Sequence, residues 1–179
     1  MTVHVALLHS IGIGGGRRLV MADLRRMAEA LGLKNPRTLI ATGNLLFDAT
    51  EAKAARLEAK LETAFAETFG RHVDIVVRNA THWRRTVAAN PFSRDLSQDG
   101  SRVVVRVSRT PPDATIVASL GRRGVDGETI KIVDGDLWVH FPIEPSRSKL
   151  IGALTTKNLG VGTLRNWNTV RRLGEMIAE

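Results

Sequence analysis

Thr163-Leu164-Arg165-Asn166-Trp167-Asn168-Thr169 packs one cation, two side-chain amides, two hydroxyls and an indole N–H into seven residues. A surface built from such groups would hold an anion. The same residue types also begin helices, because a Ser, Thr or Asn side chain satisfies the orphan backbone N–H groups of a first turn. Asn166 or Thr163 is therefore equally readable as the cap of a helix carrying Trp167, Val170, Leu173 and Ile177. A cap uses one such residue and leaves the others to be explained.

Pro145-Ser146-Arg147-Ser148-Lys149 is a second candidate. Its pattern predicts a helix capped by Ser146 and running through about Lys157. A helix N-terminus carries partial positive charge and unpaired N–H groups, to which Arg147, Ser148 and Lys149 would add donors. Lys149 opposes the dipole at that place, a conflict that a bound anion would remove. The third candidate is Gly12-Ile13-Gly14-Gly15-Gly16-Arg17-Arg18, set between a strand and a helix as phosphate-binding turns are. Arg17 stands where both the dinucleotide run and the P-loop need glycine, and Arg18 and Leu19 replace the P-loop's Lys and Ser or Thr. No cofactor is expected. What remains is a loop whose glycines, Gly14 and Gly15 among them, leave backbone N–H groups free beside Arg17.

Catalytic groupings are sparse. His9-Ser10 ends the first strand, but Leu8 occupies the first glycine position of a G-x-S-x-G elbow. No H-x-x-x-H pair or carboxylate cluster has metal-ligand spacing, and the chain has no cysteine, so no metal is expected. His72 and Asp74, at a strand start, read as surface residues. His140 alternates with Val139 and Phe141 and is assigned to the opposite face of its strand. An enzyme reading would rest proton transfer on Lys149, Ser148 or His9.

These groups must be positioned by a chain of 179 residues, 43% hydrophobic, which suffices for a core. No apolar run approaches the roughly 20 residues that span a bilayer, and the start at Met1 carries no basic leader. A soluble cytoplasmic protein without a membrane partner is expected. The net charge of +8 is unevenly spread. Arg147, Lys149, Lys157, Arg165, Arg171 and Arg172 meet no acidic residue between Pro145 and Arg172, whereas Glu51 to Gly100 is nearly balanced. This points to an anionic small molecule as partner, with a nucleic-acid backbone as the second class. Genome base composition also raises Arg over Lys without any partner. A recognition-motif RNA binder would need exposed aromatics on its central strands, and only Phe47, read as core, is offered there besides His4 and His9. The oligomeric state stays open.

The element order is β-α-β-β-α-β over residues 1–78. Val3 to Leu8 reads as a strand, Leu24, Met27, Ala28 and Leu31 as a helix, and Arg37 to Thr42 and Leu45 to Asp48 as strands joined at Gly43-Asn44. Leu57, Leu61, Ala64, Phe65 and Phe69 form one helical stripe ended by Gly70, before a strand from Val73 to Val77. After a helix and linker over 79–101, residues 102–179 repeat that order, with a hairpin across Asp134-Gly135-Asp136, a short strand from Val161 to Leu164 and a terminal helix. The expected fold class is α+β: two ferredoxin-like (βαββαβ) lobes with a C-terminal helix.

The blocks, in order, resemble the bacterial domain-of-unknown-function family 1697. Ala6-Leu7-Leu8, Gly14-Gly15, Met21 to Arg25, Thr42-Gly43-Asn44 with Phe47, Asn90-Pro91-Phe92, Arg147-Ser148-Lys149-Leu150 and Thr163 to Thr169 carry the resemblance. It implies two ferredoxin-like lobes and no activity, since that family has none assigned. His9-Ser10-Ile11-Gly12 stands where the family usually has Arg-Gly-Ile-Asn, and Ala41-Thr42 where it has Gln-Ser. The resulting expectation is an anion-binding, cationic groove between the lobes. It would be formed by Gly14, Gly15, Arg17, Thr42, Gly43, Asn44, Arg147, Ser148, Lys149, Arg165, Asn166, Trp167, Asn168 and Thr169. The alternatives are an enzyme acting on an anionic substrate, and a purely structural polar block joining lobes or protomers.

Overall fold

A computed structural model describes residues 1–9, 19–40, 42–93, 99–122, 124 and 126–178. Gly14, Gly15 and Arg17 of the glycine-rich loop lie outside them. The elements are β1 (Thr2–Leu8), α1 (Met21–Ala30), β2 (Lys34–Leu39), β3 (Asn44–Ala49), α2 (Ala54–Phe69), β4 (Ile75–Asn79) and α3 (Ala80–Ala88). They continue as β5 (Val103–Ser108), α4 (Ala114–Gly121), β6 (Thr129–Val133), β7 (Asp136–His140), α5 (Thr156–Leu159), β8 (Gly162–Asn166) and α6 (Trp167–Ala178). This is a mixed α+β chain with two four-stranded sheets, ordered β2-β3-β1-β4 and β6-β7-β5-β8. Among the described residues every strand pair is antiparallel. The chain divides into two compact units, one of residues 1–84 with 173–179, the other of residues 85–172.

In the first unit, apolar residues of α1 and α2 cover one face of the sheet, with Ala6, Leu8, Leu45, Phe47, Leu57, Leu61, Phe65 and Val77 in one buried cluster. Strand β4 lies at a sheet edge, where outward N–H groups invite pairing with another chain. Helix α2 answers this with two carboxylates one turn apart: Glu62 accepts from the Ile75 N–H and Glu58 from the Val77 N–H, both at 2.9 Å. Gly70, in the left-handed conformation (φ 71°), ends α2 as its sequence foretold.

His4 is a core residue, 1% exposed, with its ring stacked 5.6 Å from that of Phe47. Its Nδ1 lies 2.8 Å from the Thr2 carbonyl. That oxygen can only accept, so the ring proton sits on Nδ1 and Nε2 is left buried without a partner among the described residues. Burial lowers the His4 pKa below 6.5, against smaller raising effects of the Thr2 bond and the Asp48 charge. The unfolded chain therefore takes up a proton that the folded chain refuses. The stability due to neutral His4 is complete above pH 6.5 and is lost as the pH falls below it. His4→Phe keeps the stack and should flatten the acid limb of a plot of melting temperature against pH; an unchanged limb would assign it to other groups.

In the second unit, α4, α5 and the intervening turns cover one sheet face through Val104, Val117, Leu120, Leu137, Val139, Phe141, Leu150, Leu154 and Leu159. The β6–β7 hairpin turns on Asp134 (φ 51°) and Gly135 (φ 82°). Two successive positive φ values match the right-handed twist of the strands, which is why Asp-Gly is a strong hairpin signal. The helix expected from Ser146 to Lys157 is not formed. In its place are two 3-10 turns, Pro145–Arg147 and Ile151–Ala153, and then α5. The Ser148 hydroxyl accepts from the Leu150 N–H, and such local bonding competes with a helix ladder. Gly152 and the pair Thr155-Thr156 are weak helix formers, and α5 starts only where the Thr155 hydroxyl accepts from the Asn158 N–H.

Candidate functional site

The Thr163–Thr169 block straddles the junction of β8 and α6. Asn166 caps α6: its Oδ1 accepts from the Thr169 N–H at 2.9 Å, three residues on. Asn166→Ala should therefore lower stability by about 1 kcal/mol, read by denaturant titration, and an unchanged midpoint would mean that the cap is redundant. Asn168 is exposed, and its side chain with the edge of Trp167 lies over Gly100. A Cβ at Gly100 would sit 2.3 Å from Asn168 Oδ1 and 3.1 Å from Trp167 Cδ1, so both side chains would have to shift to admit one. Two members of the block thus have local structural work.

Arg165 and Thr163 do something different. Both point to the sheet face opposite the α4–α5 cluster, since side chains alternate along β8 and Leu164 packs on that cluster. Arg165 is 8% exposed, and its guanidinium donates from Nη1 to the Thr163 hydroxyl and to the Leu164 carbonyl, each at 2.8 Å. Burial pushes its pKa down to about 10, so it remains a cation at neutral pH. At about 1.4 kcal/mol per pKa unit, holding that charge out of water disfavours the folded state on the order of 3 kcal/mol.

Trp138 of β7 shares this face. Val105 is paired on one side with Trp138 and on the other with Arg165, so the three stand in one row across β7, β5 and β8. Lys131 of β6 continues the row beyond Trp138. The Trp138 ring is fully buried, 6.2 Å from that of Trp167, and its Nε1–H has no acceptor among the described residues. Beside the row, the His140 ring packs 5.7 Å from Phe92, and the Lys131 ammonium lies 5.2 Å over the Phe92 ring. A cation, a hydroxyl and an unsatisfied indole N–H are thus gathered on one face.

A second buried cation, Arg106, lies on the other face, 1% exposed. It donates to the Gly160 carbonyl at 2.5 Å and to the Ser108 hydroxyl at 3.4 Å, and burial lowers its pKa. A Cβ at Gly162 would meet its guanidinium at 2.5 Å, so this glycine makes room for the arginine. Like Arg165 it is held by neutral backbone and hydroxyl oxygens, but its place on the face packed by α4 and α5, with Gly162 against it, is read as structural.

Arg147, Ser148 and Lys149 are not brought to Arg165. Leu150 anchors their segment in the α4–α5 cluster, on the opposite face. Ser148 is buried, donates to Glu128 and accepts from the Leu150 N–H, while Arg147 and Lys149 are exposed. That bond is the chief cause that holds the Glu128 carboxyl below its ordinary range. In the first unit, Thr42, Gly43 and Asn44 shape the β2–β3 turn. Asn44 is fully buried and its amide donates to the Leu39 carbonyl and the Thr42 hydroxyl, both at 3.0 Å. His72 forms an exposed pair with Asp74 at 3.0 Å. Among the described residues no group of three metal-ligating side chains occurs, and no helix is long and apolar enough to cross a membrane.

The family described as "Protein of unknown function (DUF1697)" matches the chain over residues 1–138. The chain belongs to this family. The match ends at Trp138, so Arg147–Lys149 and Thr163–Thr169 lie beyond the matched residues. A conserved bacterial protein from Streptococcus pneumoniae has a similar solved structure: 24% identity, TM-score 0.78, all of this chain and 99% of that one covered. At that identity the likeness shows the fold alone. No curated protein matches the chain.

Trp138 and Arg106 are the residues that sequence reading did not single out. Arg106 had a signal, a cation inside the apolar run Val103–Val107. Trp138 had none, because its partnership with Arg165 depends on the register of three strands.

Proposed function

We propose that this member of the family binds a small anion, a phosphorylated or carboxylated metabolite, on the sheet face that carries Arg165. The single observation behind this reading is Arg165 itself, a cation in a residue only 8% exposed, in a row with Trp138, whose buried N–H lacks an acceptor among the described residues. An anion on this face could accept from the guanidinium, and one that reached the Trp138 N–H would give it the acceptor that it lacks among the described residues. The depth of Arg165 favours a small ligand over a nucleic-acid backbone, which is held by exposed side chains. The strand orders, with β1 and β5 central, support the inference that each half is a ferredoxin-like lobe. A cytoplasmic location fits this role.

The test is a calorimetric titration of the full chain with inorganic phosphate, pyrophosphate and a dicarboxylate such as malonate. Saturable binding of at least one, lost in Arg165→Met, is the expected result. Equal binding by the variant would move the site elsewhere. A second reading is favoured by the Asn166 cap and the seat of Asn168 over Gly100: the polar block stabilises the β8–α6 junction and binds nothing. It predicts no binding by the wild-type chain, with loss of stability in the Asn166 variant as the sole effect.

A further inference from the structure

The first unit contains a cavity of about 340 Å³ that shares no residue with the Arg165 face. It opens at the end of β3, between the C-terminal end of α1 and the first half of α2. Leu31, Leu33, Ala49 and Leu57 supply its apolar lining, and the last three are buried in the unit's core. Its volume falls at the lower end of the range of small-molecule sites.

Five charged residues line it: Lys34, Asp48, Glu51, Arg56 and Lys60. Glu51 is already engaged, and Asp48 is engaged through one of its two oxygens. Glu51 accepts from the Lys53 N–H at 2.9 Å and from Arg56 at 3.4 Å, bonds that hold its pKa below the ordinary value. Asp48 accepts from the Asn35 amide at 2.7 Å through Oδ2, while its Oδ1 is buried without a partner among the described residues and Lys34 stands opposite it in the strand register. Two of the cations have no such match. The exposed Lys60 ammonium donates to the neutral Leu31 carbonyl at 2.7 Å, and Lys34, also exposed, forms no ion pair among the described residues. An ammonium has three donors, so Lys60 keeps two for another acceptor.

We infer that this cavity is a binding site for a small amphipathic carboxylate, with an aliphatic body against Leu31, Leu33, Ala49 and Leu57 and its head toward Lys34 and Lys60. A bare inorganic anion would leave the apolar lining wet, and an uncharged hydrocarbon would leave the two ammoniums unmatched.

The experiment follows backbone amide signals of the isotope-labelled full chain during titration with hexanoate, and with hexanol as the uncharged counterpart. Hexanoate should shift Gly32, Ala49, Thr50 and Lys60 saturably. Hexanol should bind at least about tenfold more weakly, a difference of 1.4 kcal/mol. Lys34→Gln and Lys60→Gln, which leave the core untouched, should each weaken hexanoate and not hexanol. Equal affinity for the two probes, shifts centred away from the cavity, or no saturable shift would each overturn the assignment.

Discussion

Trp138→Ala is expected to lower the stability of the folded chain by about 3–5 kcal/mol, whereas Trp138→Phe should change it by about 1 kcal/mol or less. The indole is fully buried at the centre of the second sheet, between Lys131 and Val105 and against Trp167. Its removal to alanine leaves a cavity that the surrounding strands cannot close, which sets the larger figure. Phenylalanine also leaves space, but it removes a buried N–H without an acceptor among the described residues, a group whose burial costs about 1–3 kcal/mol. The two terms nearly offset. Denaturant unfolding of both variants reads the difference. If phenylalanine were as damaging as alanine, the indole N–H would have a partner in the free protein, and the anion reading would lose one of its two donors.

Arg165→Met should change stability by no more than about 1–3 kcal/mol, since it removes a charge that burial disfavours but also takes the donor from the Thr163 hydroxyl and the Leu164 carbonyl. In a chain of this size each kcal/mol moves the melting temperature by about 2–4 °C. The same substitution should abolish the stabilisation that a bound anion confers on the wild-type chain, which is about 2.7 kcal/mol at a hundredfold excess over Kd. A folded variant of similar stability that no longer responds to ligand is the mark of a residue retained for binding. Loss of several kcal/mol in Arg165→Met, with no ligand present, would instead make Arg165 part of the architecture. Thermal unfolding of both proteins, with and without inorganic phosphate, separates the outcomes.

Much of the architecture was legible in local pattern. The stripe Leu57, Leu61, Ala64, Phe65 and the terminating Gly70 gave α2, and Asp134-Gly135 gave the β6–β7 hairpin, because each is decided within a few residues. The segment from Ser146 to Lys157 misled because a Ser after Pro145 serves a short 3-10 turn as well as the start of a long helix. The Ser148 hydroxyl and its tie to Glu128 decide the matter, and that tie lies twenty residues away in sequence. For the same reason the basic residues did not converge as expected. A charge run says nothing about faces, and the alternation of Leu164 with Arg165 puts Arg165 opposite the side to which Leu150 ties Arg147 and Lys149. Asn166 was legible as a cap, and Asn168 became intelligible only once Gly100 was seen beneath it.

The measurement that bears most directly on the anion reading is the indole N–H spectrum of the isotope-labelled chain during titration with inorganic phosphate. Three tryptophans give three such signals, and Trp138→Phe assigns the one that matters. A saturable downfield shift of the Trp138 signal, missing in Arg165→Met, is the predicted result, because a hydrogen bond to an anion would deshield that proton. A Trp138 signal that stays in place while phosphate, pyrophosphate and malonate are raised to saturation of any other effect would contradict it.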